Sequence, residues 1–366
     1  MSRRLTVVQL LPALESGGVE RSTLEISDAL VQAGHRAIVV SAGGRMLPQL
    51  LALGGEHVTI DVGRKSLMTL RHVPALRQLF AQADIVHARS RLPAWMARLA
   101  LRGMTQPPHF VTTVHGLNSP SRYSAVMASG ERAICVSDTV REYILLHYPR
   151  VDPGQLIVIP RGIDPAEFPH APMPDPAARA RITALHQQLG GAGPLLLMPG
   201  RGTRLKGHGD ALRVLSGLRH DGLDARLWLA GARQPGRDAY IEELEREAAR
   251  LGIADVVAMI APTAAIADAY AASDLVLQLS RKPEAFGRTV LEALSVGRPV
   301  LGWAHGGVGE LLCQWQPQGA VPTFDEAALL KCARDLLAHP PPPAGTMPDS
   351  LRAMQQATID LYEHLA

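Results

Sequence analysis

The sequence predicts an α/β protein of two domains, each built on a doubly wound parallel sheet. Its 366 residues exceed one ordinary hydrophobic core and suit two domains of about 150 to 200 residues each. In both halves, short β-rich runs alternate with segments of helical apolar spacing, which is typical of parallel sheets covered by helices. The alternation lapses once, across a Pro- and Gly-rich stretch, so we expect this stretch to join two similar domains.

The first domain, residues 1–165, contains six predicted strands. After the first of them, Val19, Leu24, Ile26 and Leu30 follow helical spacing, and a glycine ends that helix. The apolar segment AWMARLALRG predicts another helix between the third and fourth strands. The predicted strands are LTVVQL, HRAIVVSAG, DIVHARS, HFVTTVHG, RAICVSD and LIVIP.

The second domain, residues 194–345, repeats the alternation with five predicted strands. Residues 166–193 are expected to be an interdomain connection that includes a short helix. The prolines from Pro340 to Pro343 end a helix, and the amphipathic stretch 346–366 is expected to pack back on the first domain. The strands are PLLLMPG, ARLWLAG, VVAMIAP, DLVLQLS and RPVLGW, with helices such as RDAYIEELEREAARLG and IADAYAAS between them.

The net charge of +3 is small but unevenly distributed. Residues 1–165 carry 18 Arg and Lys against 12 Asp and Glu, a net +6, whereas the remainder carries 19 against 22, a net −3. The positive half favours an anionic acceptor or a membrane surface. It lacks the clustered basic run and interleaved aromatic residues of a nucleic-acid interface, so we expect no nucleic-acid partner.

Cysteine usage and hydropathy favour a protein of the cytoplasm. The three cysteines, Cys135, Cys313 and Cys332, form no spaced set that would predict disulfides, and no CxxC or HExxH motif predicts a metal site. The basic, apolar start resembles a signal peptide, but its short apolar run leads directly into a strand–loop–helix pattern. No stretch approaches the roughly 18 apolar residues of a membrane span, so any membrane contact is expected to be peripheral.

Two segments carry the residues that point to chemistry. In PGRGTRLKGHGD, which follows a predicted strand, glycines allow a close turn and two cations, Arg201 and Lys206, lie five positions apart. Such cations can bind phosphate oxygens, although the spacing is not that of a Walker motif, and a solvated basic loop is the simpler alternative.

In SRKPEAFGRTVLEALSVG, Glu284 precedes a predicted helix and Glu292 lies one turn inside it. The free N–H groups at this helix start would bind an anion, and the two carboxylates would bind hydroxyl groups at opposite ends of a nucleotide-sugar.

The segment EAFGRTVLE resembles the E-x7-E motif of the family 4 retaining glycosyltransferases of the GT-B fold. Arg201 and Lys206 match the Arg-x4-Lys pair of that family, and ESGGVER, TTVHG, IPRGID and GRPVLGWAHGGVGELL resemble other family segments in the same order. The resemblance implies two Rossmann-like domains facing a central cleft. It departs from the family in GTRL, where an acidic residue often precedes the lysine, and at Arg288, where many members have a smaller or apolar residue.

The resemblance also implies the roles of individual residues. Catalysis is assigned to Glu284, His115, Arg201 and Lys206, with Glu284 on the donor sugar, the two cations on the diphosphate, and His115 near the donor sugar. Arg89 and Arg91 are candidates for acceptor binding. The donor-binding set is Arg201, Lys206, Gly231, Glu284, Phe286, Gly287, Arg288, Thr289, Val290 and Glu292, and the loop of Gly17 and Gly18 is expected to approach phosphate or acceptor.

The activity so implied is transfer of a sugar from a nucleotide-diphosphate sugar to a glycan or glycolipid acceptor, with retention at the anomeric carbon. Lipopolysaccharide core or surface polysaccharide synthesis at the cytoplasmic face of the inner membrane is the expected setting. No cofactor or metal is expected, because the two cations would neutralise the diphosphate. The alternatives are a nucleotide-sugar epimerase of the same architecture and a catalytically silent sugar-nucleotide binding protein. A dehydrogenase is disfavoured, because the first loop lacks GxGxxG.

Overall fold

Two parallel sheets organise the chain, one in each of the two units of the computed structural model. The structure describes residues 3–15, 17–171, 173–342 and 350–366. The first unit comprises Met1–Gly162 and Leu351–Ala366, and the second comprises Ile163–Ser350. The predicted domain end at 345, Pro343, and residues 346–349 of the predicted last segment lie outside the described residues.

The first unit contains a sheet of seven strands among the residues described, with the order β3-β2-β1-β4-β5-β6-β7 and parallel pairing throughout. Six strands agree with the sequence prediction. The prediction missed β3, whose residues are half-buried or exposed and so lack an apolar run. The strands are β1 (Thr6–Leu10), β2 (Arg36–Ser41), β3 (Glu56–Thr59), β4 (Ile85–Ala88), β5 (His109–Val114), β6 (Arg132–Cys135) and β7 (Leu156–Val158).

The helices of the first unit bury one apolar face each against this sheet or a neighbouring helix. At the start of α5 (Asp138–His147), the Ser137 hydroxyl accepts a hydrogen bond from the Val140 N–H group, a common way of starting a helix. The prediction missed α2 and α3, which are short. The helices are α1 (Gly18–Gln32), α2 (Leu47–Ala52), α3 (Val73–Phe80), α4 (Arg91–Leu101) and α5 (Asp138–His147).

The second unit has a sheet of six strands among its described residues, in the order β10-β9-β8-β11-β12-β13, again parallel. Five strands agree with the prediction, and the sixth, β13, was missed because it has only two residues. The strands are β8 (Leu195–Leu197), β9 (Arg226–Ala230), β10 (Val257–Ile260), β11 (Leu275–Gln278), β12 (Val300–Trp303) and β13 (Ala320–Val321).

The predicted connection, residues 166–193, is assigned instead to the second unit. Its helix α6 packs beside α9, and Arg179 binds Asp274 across 3.0 Å, which ties this stretch to the sheet that follows. The boundary therefore falls between Gly162 and Ile163. The helices of this unit are α6 (Pro176–Leu185), α7 (His208–His220), α8 (Asp238–Arg250), α9 (Ile266–Ala272), α10 (Arg288–Val296), α11 (Gly306–Trp315) and α12 (Glu326–Ala338).

The last helix, α13 (Ser350–Leu365), packs into the core of the first unit. Its Met354, Ile359 and Tyr362 are buried in a cluster with residues of β1 and α1. The Tyr362 hydroxyl lies 2.5 Å from Nδ1 of His87, a buried side chain of β4. Among the described residues, no helix combines the length and the apolar character that crossing a membrane requires.

The buried imidazole of His208, at the start of α7, makes the stability of the second unit depend on pH. Burial lowers the pKa of His208 from 6.5 to about 4. The unfolded chain therefore binds a proton that the folded chain does not, and stability falls as pH drops from 6.5 towards 4. We expect a loss of about 2 kcal/mol between pH 7 and pH 5, measured by chemical denaturation. His208→Gln should flatten this dependence, whereas His220→Gln, at the exposed end of α7, should not.

Candidate functional site

The topology of the second sheet brings two loops together at its centre. The strand order reverses between β8 and β11, which are hydrogen-bonded neighbours although they are far apart in sequence. Their carboxyl ends therefore open onto the same crevice, where doubly wound sheets bind ligands. The loop after β8 carries Arg201 and Lys206, and the loop after β11 carries Glu284.

Lys206 and Glu284 meet in this crevice. Their Nζ and Oε1 atoms are 2.5 Å apart, and each side chain is about a quarter exposed, at 24% and 25%. The Ser280 hydroxyl also donates to Oε1 of Glu284, and the Gln278 amide donates to its Oε2 across 3.5 Å. Glu284 is thus held by three donors in one orientation, and a ligand would have to exchange contacts with this set.

Gly207 shows how closely the two loops approach. Its φ of 80° is in the left-handed region, and a Cβ atom there would lie 2.0 Å from the Leu279 carbonyl oxygen. Any other residue would force the loops apart. A glycine in this segment therefore allows the two loops to come into contact, whether or not a ligand binds there.

Glu292 is positioned by hydrogen bonds from the side chains of Tyr270 and Arg288. The Tyr270 hydroxyl donates to its Oε2 atom across 2.8 Å, and the Arg288 Nε donates to its Oε1 atom across 3.0 Å. Tyr270 is fully buried, and burial raises the pKa of its hydroxyl well above the usual value, so it stays a donor. The two glutamates therefore have separate sets of hydrogen-bond partners.

The start of α10 lies between the two glutamates. Gly287 has a φ of 129°, which favours glycine, and no side chain caps the helix at this position. The N–H group of Val290 is bonded to the Gly287 carbonyl, so the N–H groups of Arg288 and Thr289 are the ones directed out of the helix end. Phe286, in the loop that leads into α10, is buried, with 8% of its surface exposed.

Arg201 and Gly231 lie on neighbouring turns. Arg201 is exposed, and within the described part of the chain no carboxylate binds its guanidinium. A Cβ atom on Gly231 would lie 3.3 Å from the Gly200 carbonyl oxygen, so the turn after β9 approaches the turn after β8. The structure thus leaves Arg201 available, whereas Lys206 is already paired.

In the first unit, the predicted residues gather at the carboxyl ends of β1, β4 and β5. Gly18 begins α1, and the Arg161 guanidinium donates to the Gly18 carbonyl across 2.5 Å. The same guanidinium lies 2.5 Å from Nδ1 of His115. Arg161 was not predicted as a site residue, although it lies in IPRGID; no local pattern distinguishes it from a surface arginine.

His115 is a neutral hydrogen-bond donor. Burial, with Arg161 as the next cause, lowers its pKa well below the usual value. Because arginine only donates, Nδ1 of His115 accepts and its proton resides on Nε2. This Nε2 has no partner among the described residues. His115 can therefore donate a hydrogen bond through Nε2, whereas its low pKa disfavours an imidazolium; its catalytic role stays a prediction.

The two acceptor candidates differ in accessibility. Arg89 is 3% exposed, with its Nε atom 2.7 Å from Oε1 of Gln9 and an Nη atom 3.3 Å from the Ser22 hydroxyl. Arg91, half-buried, donates to the Ser124 hydroxyl and lies over the Tyr123 ring. Arg89 is thus buried, whereas Arg91 is partly accessible, and both remain candidates for acceptor binding.

No group of three or more His, Cys, Asp or Glu side chains in the described part of the chain is placed to hold a metal ion. The residues gathered at the second sheet are instead carboxylates, cations and helix N–H groups. Carboxylates bind sugar hydroxyls, and the cations and the helix start bind phosphate oxygens. Sequence reasoning missed Gln278, Ser280 and Tyr270 here, because their roles depend on contacts between different elements.

Tyr270→Phe tests whether the position of Glu292 matters for binding. The variant keeps the ring in the core and removes the hydroxyl, and with it the hydrogen bond to the carboxylate, worth about 1.5 to 3 kcal/mol for a charged partner, and the contact with the Thr289 side chain. We expect nucleotide-sugar affinity to fall roughly tenfold, measured by titration calorimetry, with free nucleotide affected equally. Tyr240→Phe, on α8, is the control. An unchanged affinity in Tyr270→Phe would show that Glu292 needs no such support.

Comparison with protein-family models agrees with this geometry. The model described as Glycosyltransferase Family 4 matches residues 16–167, and that described as Glycosyl transferases group 1 matches residues 185–353. Together they cover most of the chain, one model for each unit. The chain belongs to the family 4 glycosyltransferases of the GT-B fold. This confirms the predicted fold and the predicted family.

Individual relatives of this glycosyltransferase are distant. The D-inositol 3-phosphate glycosyltransferase of Streptomyces coelicolor is 29% identical over 232 residues, which are 59% of this chain and 49% of that protein. The chain thus matches about half the length of this curated relative. A glycosyltransferase from Rickettsia africae has a similar structure, with a TM-score of 0.86, 26% identity and 99% and 98% coverage of the two chains. Anabaena HepE, solved with UDP and glucose, has a TM-score of 0.80 at 18% identity, covering 99% and 100%.

Proposed function

We propose that this glycosyltransferase moves a sugar from a nucleotide-diphosphate sugar to a glycan or glycolipid acceptor, with retention and without a metal cofactor. The observation that carries the proposal is the crevice between β8 and β11. There Lys206 lies 2.5 Å from Glu284, Arg201 is exposed on the same loop, and α10 begins between the two glutamates. HepE, which shares the fold, was solved with UDP and glucose.

The arrangement would promote the reaction by positioning the sugar and by neutralising the charge of the diphosphate. Arg201, Lys206 and the start of α10 would neutralise the diphosphate as it leaves, and Glu284 would orient the sugar through its hydroxyl groups. The leaving phosphate would accept the proton of the attacking hydroxyl, so no protein base is required. As the bond from the anomeric carbon to the phosphate oxygen breaks, a bond to the acceptor oxygen forms on the same face.

The test combines binding with product analysis. UDP, GDP and ADP sugars are titrated against the protein with and without EDTA, and the donor that binds is then used in transfer assays. We expect one donor to bind equally in both conditions and to give a product with the anomeric configuration of the donor by proton NMR. An inverted product, or an epimerised nucleotide-sugar without transfer, would contradict the proposal. Binding that requires a divalent metal would contradict the metal-free part of it.

We propose an anionic acceptor, in lipopolysaccharide core or surface polysaccharide synthesis at the cytoplasmic face of the inner membrane. The first 165 residues carry a net +6, and the name of the Streptomyces relative specifies a phosphorylated acceptor, inositol 3-phosphate. Transfer assays with each class of acceptor distinguish the alternatives. Transfer to inositol phosphate, but to no lipid-linked glycan, would contradict the polysaccharide setting.

Arg91→Glu tests the acceptor side separately. A reversed charge beside an anionic acceptor should raise the acceptor KM about tenfold or more and leave donor affinity unchanged, because Arg91 is not among the residues assigned to the donor. Arg150→Glu, an exposed position of the first unit, is the control. Equal loss of donor affinity would contradict the assignment. Arg89 is unsuitable for this test, since a carboxylate at that buried position would disturb the fold.

A further inference from the structure

Three exposed large apolar side chains of the described structure lie within four residues of each other. Leu67 is 85% exposed, Met68 is 63% exposed and Leu70 is 46% exposed. Single exposed apolar residues are ordinary in proteins, but a contiguous group marks an interaction site. The described residues contain others as exposed, such as Leu146 at 74%, but these are isolated in sequence.

The backbone holds these side chains outward. Residues Leu67–His72 form a 3-10 turn, in which side chains three positions apart lie on the same side. Thr69 faces inward: it is 5% exposed, and its hydroxyl donates to the Arg64 carbonyl across 2.8 Å. Ser66 accepts from the Met68 N–H group at the start of the turn. Leu67 with Leu70, and Met68 with Arg71, therefore form the two outward rows.

The same segment is strongly basic. Between Val62 and Ala83 the chain has Arg64, Lys65, Arg71 and Arg77, and no Asp or Glu. In the part of the chain that the structure describes, none of the four forms an ion pair with a carboxylate; Arg77 donates to the carbonyl groups of Ala100 and Arg102. Of the flanking acids, Asp84 is bonded to Arg3 and to the Thr6 N–H group, so its charge is already engaged.

We propose that the docking turn, residues 64–71, binds the first unit to a bilayer surface that carries anionic lipids. Projecting leucine and methionine side chains would enter the interface between headgroups and acyl chains, and the unpaired cations beside them would bind lipid phosphates. A protein partner or a second copy would account for the apolar rows but not for a run of cations without a carboxylate. The inference rests on the proposed function in one respect, because the bilayer surface is where a glycolipid acceptor would be bound.

The test is sedimentation of the full chain with vesicles of phosphatidylcholine, with and without phosphatidylglycerol, at low and high salt. We expect binding to the vesicles that contain phosphatidylglycerol, release by salt, and little binding to phosphatidylcholine alone. Leu67→Glu/Met68→Glu should bind at least about tenfold more weakly. Arg64→Ser/Lys65→Ser/Arg71→Ser should lose about a hundredfold, at roughly fivefold for each cation. Leu146→Glu, equally exposed in the same unit, should bind like the parent protein.

Several results would overturn the proposal that the docking turn binds an anionic bilayer. These are no binding to either vesicle, equal binding to both, or a double variant that sediments like the parent. Self-association that the double variant abolishes, without vesicle binding, would assign the surface to a second copy instead. Nucleotide-sugar titration on the same samples shows that each variant is folded. It also separates the two proposals: vesicle binding can fail while donor binding persists, and the reverse result would contradict only the proposed function.

Discussion

Glu284→Ala is expected to abolish sugar transfer and leave the fold intact. The carboxylate is a quarter exposed and lies on a loop, so its removal creates no core cavity. Its loss would remove the predicted contact with the sugar hydroxyls and free Lys206 from its partner 2.5 Å away. We expect kcat to fall about 10²- to 10³-fold or more, the size seen when a group that stabilises a transition state is removed. Initial rates at saturating donor measure this.

Two companion variants make the Glu284 result specific. Glu284→Gln keeps hydrogen-bonding atoms at the same place but removes the charge, so partial activity would identify orientation of the sugar as the main role. Glu242→Ala, an exposed glutamate of α8, should be fully active. Turnover of Glu284→Ala within a few fold of the parent enzyme would show that the E-x7-E motif has been misinterpreted in this chain.

Lys206→Ala is expected to lose nucleotide-sugar binding. A lysine that binds phosphate through charged hydrogen bonds contributes about 1.5 to 3 kcal/mol, or roughly tenfold to more than a hundredfold in affinity. The variant also leaves Glu284 with only the Ser280 and Gln278 donors, and its uncompensated negative charge would repel the diphosphate. The two effects act in the same direction, so we expect the loss at the upper end of this range. Titration calorimetry with the donor identified above measures it.

The double variant Lys206→Ala/Glu284→Ala separates these effects. If repulsion by Glu284 contributes, the double variant should bind free nucleotide diphosphate better than Lys206→Ala alone. Lys331→Ala, on the exposed face of α12 and paired with Asp335, is the control and should bind normally. Normal donor affinity in Lys206→Ala would remove this lysine from the diphosphate site and leave Arg201 as the candidate cation.

The element pattern was largely predictable, because alternating apolar runs and helical spacing are local properties. Failures occurred where that signal is weak. Strand β3 has no buried residue and β13 has only two residues. The short helix predicted within residues 166–193 is present as α6, but the prolines and glycines of this stretch suggested a connection where the structure has part of the second unit. The burial of Arg89 was missed for a related reason: an arginine after a strand is ordinarily exposed, and only the packed position of Gln9 and Ser22 around it shows that it is interior.

By itself, the sequence determined two α/β domains and, through its ordered motifs, the family. It also provided the pairs Glu284 with Glu292 and Arg201 with Lys206, because the members of each pair are only a few turns of chain apart. Only the tertiary structure decided which residues meet. Lys206 and Glu284 are 78 positions apart and come within 2.5 Å because β8 and β11 are neighbours. Tyr270 reaches Glu292 from a different helix, and Arg161 reaches His115 from the end of a different strand. Strand order is set by the crossover connections and the packing of whole helices, and no local pattern of residues records it.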